Sequence, residues 1–148
     1  MKNQEFDSLK LQNQLCFPLY VASKEVVKKY RPYLDSVDLT YTQYITMMVL
    51  WERKEISAKD LGDILYLDSG TLTPVLKSLE KKSLITRTRG ANDERLLIVG
   101  ITQNGEDLKK QAVEISRAIA NCVNLNESEA VELYRLLYKI IGKNDNAK

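Results

Sequence analysis

Asp60-Leu-Gly-Asp-Ile-Leu-Tyr-Leu-Asp-Ser-Gly-Thr-Leu-Thr-Pro-Val-Leu-Lys-Ser-Leu-Glu-Lys-Lys-Ser-Leu-Ile-Thr-Arg-Thr-Arg-Gly-Ala-Asn-Asp-Glu-Arg95 is the stretch whose reading decides the fold. It reads as two short helices joined by a tight polar turn, then a strand, a charged loop and a second strand. Leu61, Ile64 and Leu65 give the first helix one apolar face, and Leu72, Val75, Leu76 and Leu79 give the second its own. Between them Asp68-Ser69-Gly70-Thr71 combines helix-capping side chains with a glycine, as a sharp helix-to-helix turn requires. Leu84–Arg89 and Arg95–Ile101 read as strands around a short charged loop. Helix, turn, helix and hairpin in that order describe a winged helix-turn-helix, whose second helix can enter a DNA major groove. The fold class that follows is mainly α with a small β-wing, and residues 34–101 are expected to form a DNA-binding part.

Working outward, 148 residues make a single domain with room for a real core. Hydrophobic residues at 44% and charged residues at 28% are the balance of a soluble globular chain. No apolar run is long enough for a membrane span, and Met1-Lys-Asn-Gln-Glu-Phe-Asp7 lacks the apolar core of a signal peptide, so a cytoplasmic location is expected. The net charge of +2 is too small to indicate nucleic-acid binding by itself, which leaves local placement of charge to carry that reading. Two cysteines make no disulfide framework, and in a reducing cytoplasm they are expected as free thiols. The absence of histidine excludes His-based acid–base catalysis, Cys-His dyads and His-containing metal sites. No metal or cofactor is called for.

On the N-terminal side, Leu11, Leu15, Leu19, Ala22, Val26 and Tyr30 form a helical stripe. Pro18 either kinks that helix or marks where its regular part begins, which would leave Cys16 at a helix N-terminus; Pro32 is expected to end it. Leu39–Trp51 reads as a second helix, with Thr40 and Gln43 spaced as a capping box, and Ser57 as the cap of the next. Beyond the wing, Thr102-Gln-Asn-Gly-Glu106 opens a long helix to about Val123 with its stripe at Leu108, Ala112, Ile115, Ile119 and Cys122. Asn126-Glu-Ser-Glu129 caps a last helix that is apolar around most of its girth, more than one packing face can hide; the tail after it is polar. Residues 1–33 and 102–148 together carry more apolar helix than one small winged domain can cover. A helical dimerisation region built from both chain ends is therefore expected, against the alternative of a compact monomeric bundle.

Thr71, Thr73, Lys77 and Ser78 alternate with the apolar stripe of the second short helix and are expected to face outward. Ser69 and Thr71 sit at its start, where a docked helix meets base edges and phosphates. In the wing, Arg87, Arg89 and Arg95 supply cations, and Asp93 lies two positions from Arg95, where an Asp-x-Arg pair can fix a guanidinium for entry into a minor groove. The plainer reading is a solvated charged turn. Cys16 invites a redox reading, because a helix N-terminus and nearby hydroxyl donors both stabilise a thiolate, and Tyr20, Tyr30, Tyr33, Tyr41 and Tyr44 crowd this third of the chain. A lone cysteine in an apolar stretch is nevertheless most often a small core residue, and the same holds for Cys122. If Cys16 and Tyr30 do meet, a continuous helix rising ~1.5 Å per residue separates them by roughly 21 Å within one chain, so the meeting must occur across a dimer.

The chain resembles the MarR family and, within it, the organic hydroperoxide resistance regulators, over almost its whole length. The resemblance rests on Leu15-Cys-Phe-Pro-Leu-Tyr20 with Ala22-Ser23, Tyr30-Arg-Pro-Tyr-Leu34, Leu39-Thr-Tyr-Thr-Gln-Tyr44, Leu67-Asp-Ser-Gly-Thr-Leu-Thr-Pro74, and Asp93-Glu-Arg95 to Leu97. It implies a homodimeric repressor, not an enzyme, that binds double-stranded operator DNA when reduced and releases it when an organic hydroperoxide oxidises the Cys16 thiol. It also implies that Tyr30 and Tyr41, with Tyr20 nearby, support that thiol from the opposite subunit, and that Asp68, Ser69, Thr71, Arg87 and Arg95 fall at DNA contacts. Cys122 lies where the two-cysteine branch keeps a resolving cysteine and the one-cysteine branch has no thiol, so the resemblance leaves two end products of oxidation: an intersubunit Cys16–Cys122 disulfide, or a mixed disulfide of Cys16 with a small thiol. One departure is Ser83, where many relatives carry glycine in the turn before the wing strand; it costs stability if that position needs a positive φ. Two other readings remain open: a regulator that responds to a small aromatic ligand with Cys16 merely structural, and a thiol peroxidase.

Overall fold

The structure, a computed structural model, describes residues 6–120 and 122–142; the polar tail after Gly142 lies outside them. Two single turns of 3-10 helix, Asp7–Leu9 and Leu11–Asn13, lead into α1 (Cys16–Asp35). There follow α2 (Tyr41–Arg53), the short strand β1 (Glu55–Ser57), α3 (Ala58–Leu65) and α4 (Ser69–Lys81). The hairpin of β2 (Ile85–Arg89) and β3 (Leu97–Ile101) then leads into α5 (Gln103–Ala120) and α6 (Glu127–Ile141). This is a winged helix-turn-helix, mainly helical with a small β-wing.

Local capping chemistry sets where the helices begin. The Thr40 hydroxyl accepts the Gln43 N–H (3.2 Å) while the Gln43 side chain accepts the Thr40 N–H (3.0 Å), so the anticipated capping box of α2 forms in full. Asn126 and Glu129 make the same reciprocal pair at the start of α6 (3.0 and 2.9 Å). Ser57 caps α3 through the Asp60 N–H (3.0 Å), and Asp68 caps α4 through the Thr71 N–H (2.8 Å). Gly142 closes α6 at φ 84, the left-handed conformation in which glycine is favoured.

The core lies where α2 packs against α1, α3, α4 and α5. Met47 and Leu50 of α2 are fully buried, beside Leu61 of α3, Leu72, Leu76 and Leu79 of α4, Val99 of β3 and Ile115 and Ile119 of α5. Leu72, Leu76 and Leu79 are thus the buried stripe that spacing predicts; Val75 is half-buried and Ile64 is exposed. The apolar surfaces of α1 and α6 are different. Among their described residues Phe17 is 40% exposed, Val131 65% and Ile140 61%, and no described residue of α6 is buried. No helix of the described residues is long and apolar enough to cross a membrane.

Several boundaries depart from the sequence reading. Pro32 lies inside α1 rather than ending it. The ring forfeits one backbone bond. The last turn nevertheless holds because Leu34 is buried to 2% exposure and its carbonyl accepts from both Val37 (3.1 Å) and Leu39 (3.0 Å). Packing outweighs the proline. β1 was not anticipated; three residues are too few for a period-two signal, and it exists by pairing Glu55, Ile56 and Ser57 with Gly100, Val99 and Ile98 of β3. The wing loop is longer than expected, since Gly90 and Leu96 close it through one backbone bond (2.9 Å) and β3 starts only at Leu97. α5 is described as far as Ala120 and Cys122 already lies in a turn, short of Val123.

Ser83 sits at φ 59, so the turn before β2 does require the left-handed region. Its N–H bonds the Glu80 carbonyl (2.8 Å) and Leu84 bonds that of Leu79 (3.1 Å), which fixes the conformation. A serine there carries a backbone strain that glycine would not. Ser83→Gly is therefore expected to raise the stability to urea by ~0.5–1 kcal/mol at matched protein concentration, with the slope unchanged. A lower midpoint would mean that the serine side chain contributes more than its backbone costs.

Candidate functional site

The turn between α3 and α4 presents one polar surface. Asp68, Ser69, Thr71 and Thr73 are all exposed on the N-terminal half of α4, and Lys77 follows them on the outer face. The Asp68 carboxyl is held below its ordinary value chiefly by the backbone N–H of Thr71, then by that residue's hydroxyl, so it remains an ionised cap. The Thr73 hydroxyl donates to the Ser69 carbonyl (2.7 Å). Ser78 departs from the outward set: it is half-buried and its hydroxyl accepts the Gln43 side-chain amide (2.9 Å).

The wing faces this surface. Asp68, Ser69 and Thr73 share a groove of about 440 Å³ with Arg87 and Arg95, so strand, loop and helix converge on one concavity. Thr71, Lys77 and Asp93 are not among its lining residues. Arg87 does not stand free: its Nε and Nη2 both donate to Glu80 Oε2 (3.0 and 2.6 Å), tying the wing to the end of α4. Asp93 does not grip the Arg95 guanidinium either. Its carboxylate accepts the Arg95 backbone N–H (2.9 Å), which shapes the loop and leaves the exposed guanidinium without an ion pair among the described residues. Arg89 lies along the same loop, with Nη1 at 3.4 Å from the Glu94 carbonyl.

The thiols occupy opposite ends of α1. Cys16 is the first residue of that helix and is exposed; Tyr20, one turn on, is also exposed, with the Lys24 ammonium 5.0 Å from its ring centre. Tyr30 lies nearly four turns along, its ring edge-on to Tyr41 (centroids 5.0 Å apart) and 6.0 Å from Tyr44. Burial pushes the hydroxyls of all three up from the usual tyrosine value, and the neighbouring tyrosines add to this for Tyr30 and Tyr44. They therefore stay protonated, as donors, across the neutral range. Cys122, just past α5, packs on the same level of α1. Its Sγ lies 4.0 Å from the Tyr33 hydroxyl and donates to the Ala118 carbonyl (3.3 Å), and the Lys29 ammonium caps its backbone carbonyl. The contact with Cys122 pushes the Tyr33 hydroxyl up in turn. No cluster of acidic, cysteine or histidine side chains suited to a metal occurs among the described residues.

Sequence reasoning missed Glu80 as the partner of Arg87, Tyr33 and Lys29 as neighbours of Cys122, and the Gln43–Ser78 bond. Only the helical phase of Gln43, opposite the exposed Met48 and beside the buried Tyr44, hinted that its amide points inward.

Comparison with known proteins agrees with this geometry. Residues 22–112 match the family model for the transcriptional regulator SarA/Rot. The chain is 43% identical over 141 residues, 95% of both chains, to the organic hydroperoxide resistance transcriptional regulator of Bacillus subtilis. It is 46% identical over 138 residues, 93% of both, to the HTH-type transcriptional regulator SarZ of Staphylococcus aureus. Among solved structures it resembles AbfR of Staphylococcus epidermidis, in reduced form bound to DNA, with 32% identity, a TM-score of 0.79 and coverage of 96% of this chain and 95% of that one. A winged groove faced by hydroxyls and arginines, in a chain this similar to named regulators, identifies the protein at the level of its family: it belongs to the MarR-type transcriptional regulators, among those of the organic hydroperoxide resistance kind.

Proposed function

We propose that this regulator is a homodimeric repressor that holds operator DNA while Cys16 is reduced and releases it when an organic hydroperoxide oxidises that thiol. One observation carries the redox part. Tyr30 and Tyr41 form a paired set of hydroxyl donors nearly four turns along a continuous helix from an exposed Cys16, and Cys122 packs at that same level. Within one chain those groups are roughly 20 Å from Cys16. In a head-to-tail pair of α1 helices, Cys16 of one subunit reaches the tyrosines and Cys122 of the other.

The exposed apolar faces of α1 and α6 support the dimer, with residues 1–33 and 102–148 as its dimerisation part and residues 34–101 as its DNA-binding part. The relatives add weight to a DNA-binding regulator: one is named for organic hydroperoxide resistance, and another is described as bound to DNA.

The chemistry balances simply. The Cys16 thiolate attacks the outer oxygen of the hydroperoxide, an S–O bond forms as the O–O bond breaks, and the alkoxide takes a proton and leaves as an alcohol. Sulfur is oxidised by two electrons and the peroxide is reduced. The resulting sulfenic acid then condenses with the Cys122 thiol of the other subunit, forming a disulfide and releasing water. Joining them requires Cα atoms within ~4.4–6.8 Å.

On the DNA side, Arg95 is the exposed guanidinium at the wing tip, whereas Arg87 is already engaged with Glu80. Arg95→Ala is expected to weaken operator binding by ~1–3 kcal/mol without unfolding the protein, and wild-type affinity should fall with salt at a slope of about −0.9 per phosphate contact. Binding that ignores both the substitution and salt would exclude a groove-bound wing.

Gel shifts on the chain's own upstream DNA, before and after hydroperoxide treatment, test the switch. Cys16→Ser should bind and stay bound, and the wild type should release its DNA and run as a covalent dimer on a non-reducing gel unless Cys122→Ser is introduced. Release by Cys16→Ser would move the sensor elsewhere; release by an aromatic acid alone would favour a ligand-responsive regulator. Multiple turnover of hydroperoxide without DNA binding would make it a peroxidase.

A further inference from the structure

Both α1 and α4 pack on α2, and one buried polar side chain of α2 is bonded to α4. Gln43 is 6% exposed and sits in the first turn of α2, between Tyr41 and Tyr44. Its carbonyl oxygen accepts the Thr40 N–H (3.0 Å) and lies 3.3 Å from the Lys82 ammonium, while its amide nitrogen donates to the Ser78 hydroxyl (2.9 Å). Ser78 belongs to α4, the helix whose other end carries Ser69 and Thr71, and Lys82 caps its C-terminus. Lys82 also binds the carbonyl of Asp38 and pairs with its carboxylate (3.2 Å), in the turn between α1 and α2. Asp38 holds φ 51, a conformation that the surrounding contacts must maintain.

We propose that Gln43 is the positioning residue that couples the tyrosine pair to the recognition helix, so that displacement of Tyr30 and Tyr41 by an oxidised sulfur reaches α4 through the Gln43–Ser78–Lys82 bonds. This rests on the redox reading above. Apolar contacts between α2 and α4 tolerate small slides, because packing is non-directional. A hydrogen bond from a buried amide does not. It is made within a few tenths of an ångström and a narrow range of angles, and losing it leaves polar groups unmet away from water. The Tyr30 ring rests against both Tyr41 and Tyr44, which flank Gln43, so a group forced between the rings shifts the turn that holds the amide. Held by these bonds, α4 follows that turn, and Ser69 and Thr71 leave their register on the DNA.

The test replaces the amide by a side chain of similar length, Gln43→Met, with Ser78→Ala as the milder variant should Gln43→Met fold poorly. DNA affinity is read before and after treatment with tert-butyl hydroperoxide, and the extent of Cys16 oxidation is read by mass spectrometry in the same samples. Each reduced variant should bind DNA close to wild type and oxidise to the same extent. The oxidation-dependent loss of affinity should shrink by roughly 2- to 30-fold relative to wild type. Variants that oxidise and release as the wild type does would overturn the coupling while leaving the redox reading intact. Variants that no longer bind when reduced would overturn it too, making the amide a structural support. A wild-type protein that oxidises at Cys16 and stays on DNA would overturn both.

Discussion

The indole N–H of Trp51, donated to the carbonyl of Gly105 at 2.8 Å, fixes where the winged part meets the long helix after it. The approach is possible because residue 105 has no side chain. A Cβ there would run into the Leu84 carbonyl and stand 2.7 Å from Cγ1 of Ile101 and 3.1 Å from Cε of Met47. Other bonds converge on the same joint: the Thr102 hydroxyl donates to the Ser83 carbonyl (2.7 Å) and accepts the Gly105 N–H (3.1 Å), and Lys54 pairs with Glu106. The end of α2, the turn after α4 and the start of α5 are therefore one rigid node.

Charge in this protein acts by position. A net +2 gives little long-range pull on a polyanion, yet the groove beside α4 gathers two arginines opposite a row of hydroxyls. Within it the arginines are not equivalent. Arg87 is bound through two nitrogens to Glu80, with both partners partly screened from water, so its direction is set within the fold. Arg95 sits on a loop whose shape is fixed by the Asp93 carboxylate through the backbone, which aims the guanidinium without neutralising it.

What was legible in the sequence was local. The capping boxes at Thr40 and Asn126 and the caps at Ser57 and Asp68 depend on residues three apart, and the stripe of α4 depends on its helical period. Those signals survive folding because nothing distant competes with them. Pro32 shows the reverse: the local rule against proline in a helix was overridden by the burial of Leu34. The Glu80–Arg87, Gln43–Ser78 and Tyr33–Cys122 contacts were illegible for a related reason. Each joins two elements whose relative placement is decided by the core, and no spacing along the chain encodes it. For the candidate site, the residue types and their outward faces could be read, apart from Ser78; which cation is engaged and which is free could not.

The geometry of α1 makes the strongest argument about assembly, and it needs no relative. A helix running unbroken from Cys16 to Asp35 is a rod about 30 Å long. Cys16 stands at one end of it, and the Lys29 and Tyr33 side chains that hold Cys122 stand toward the other, so no rotamer change can bring the two thiols of one chain together. Melting the rod would forfeit the burial of Leu34 and the stacking of Tyr30 on Tyr41 and Tyr44. The same rod and α6 carry apolar side chains that their own fold leaves exposed, from Phe17 and Leu19 to Val131, Leu133 and Ile140. Soluble monomers rarely leave so large an apolar surface uncovered. In the proposed dimer, the same surface of a second chain, antiparallel along α1, would remove the apolar area from water and set the Cys16 end of each rod against the Tyr30 end of the other. That one arrangement would meet both demands, the hydrophobic one on the helices and, if the proposed disulfide forms, the steric one on the thiols.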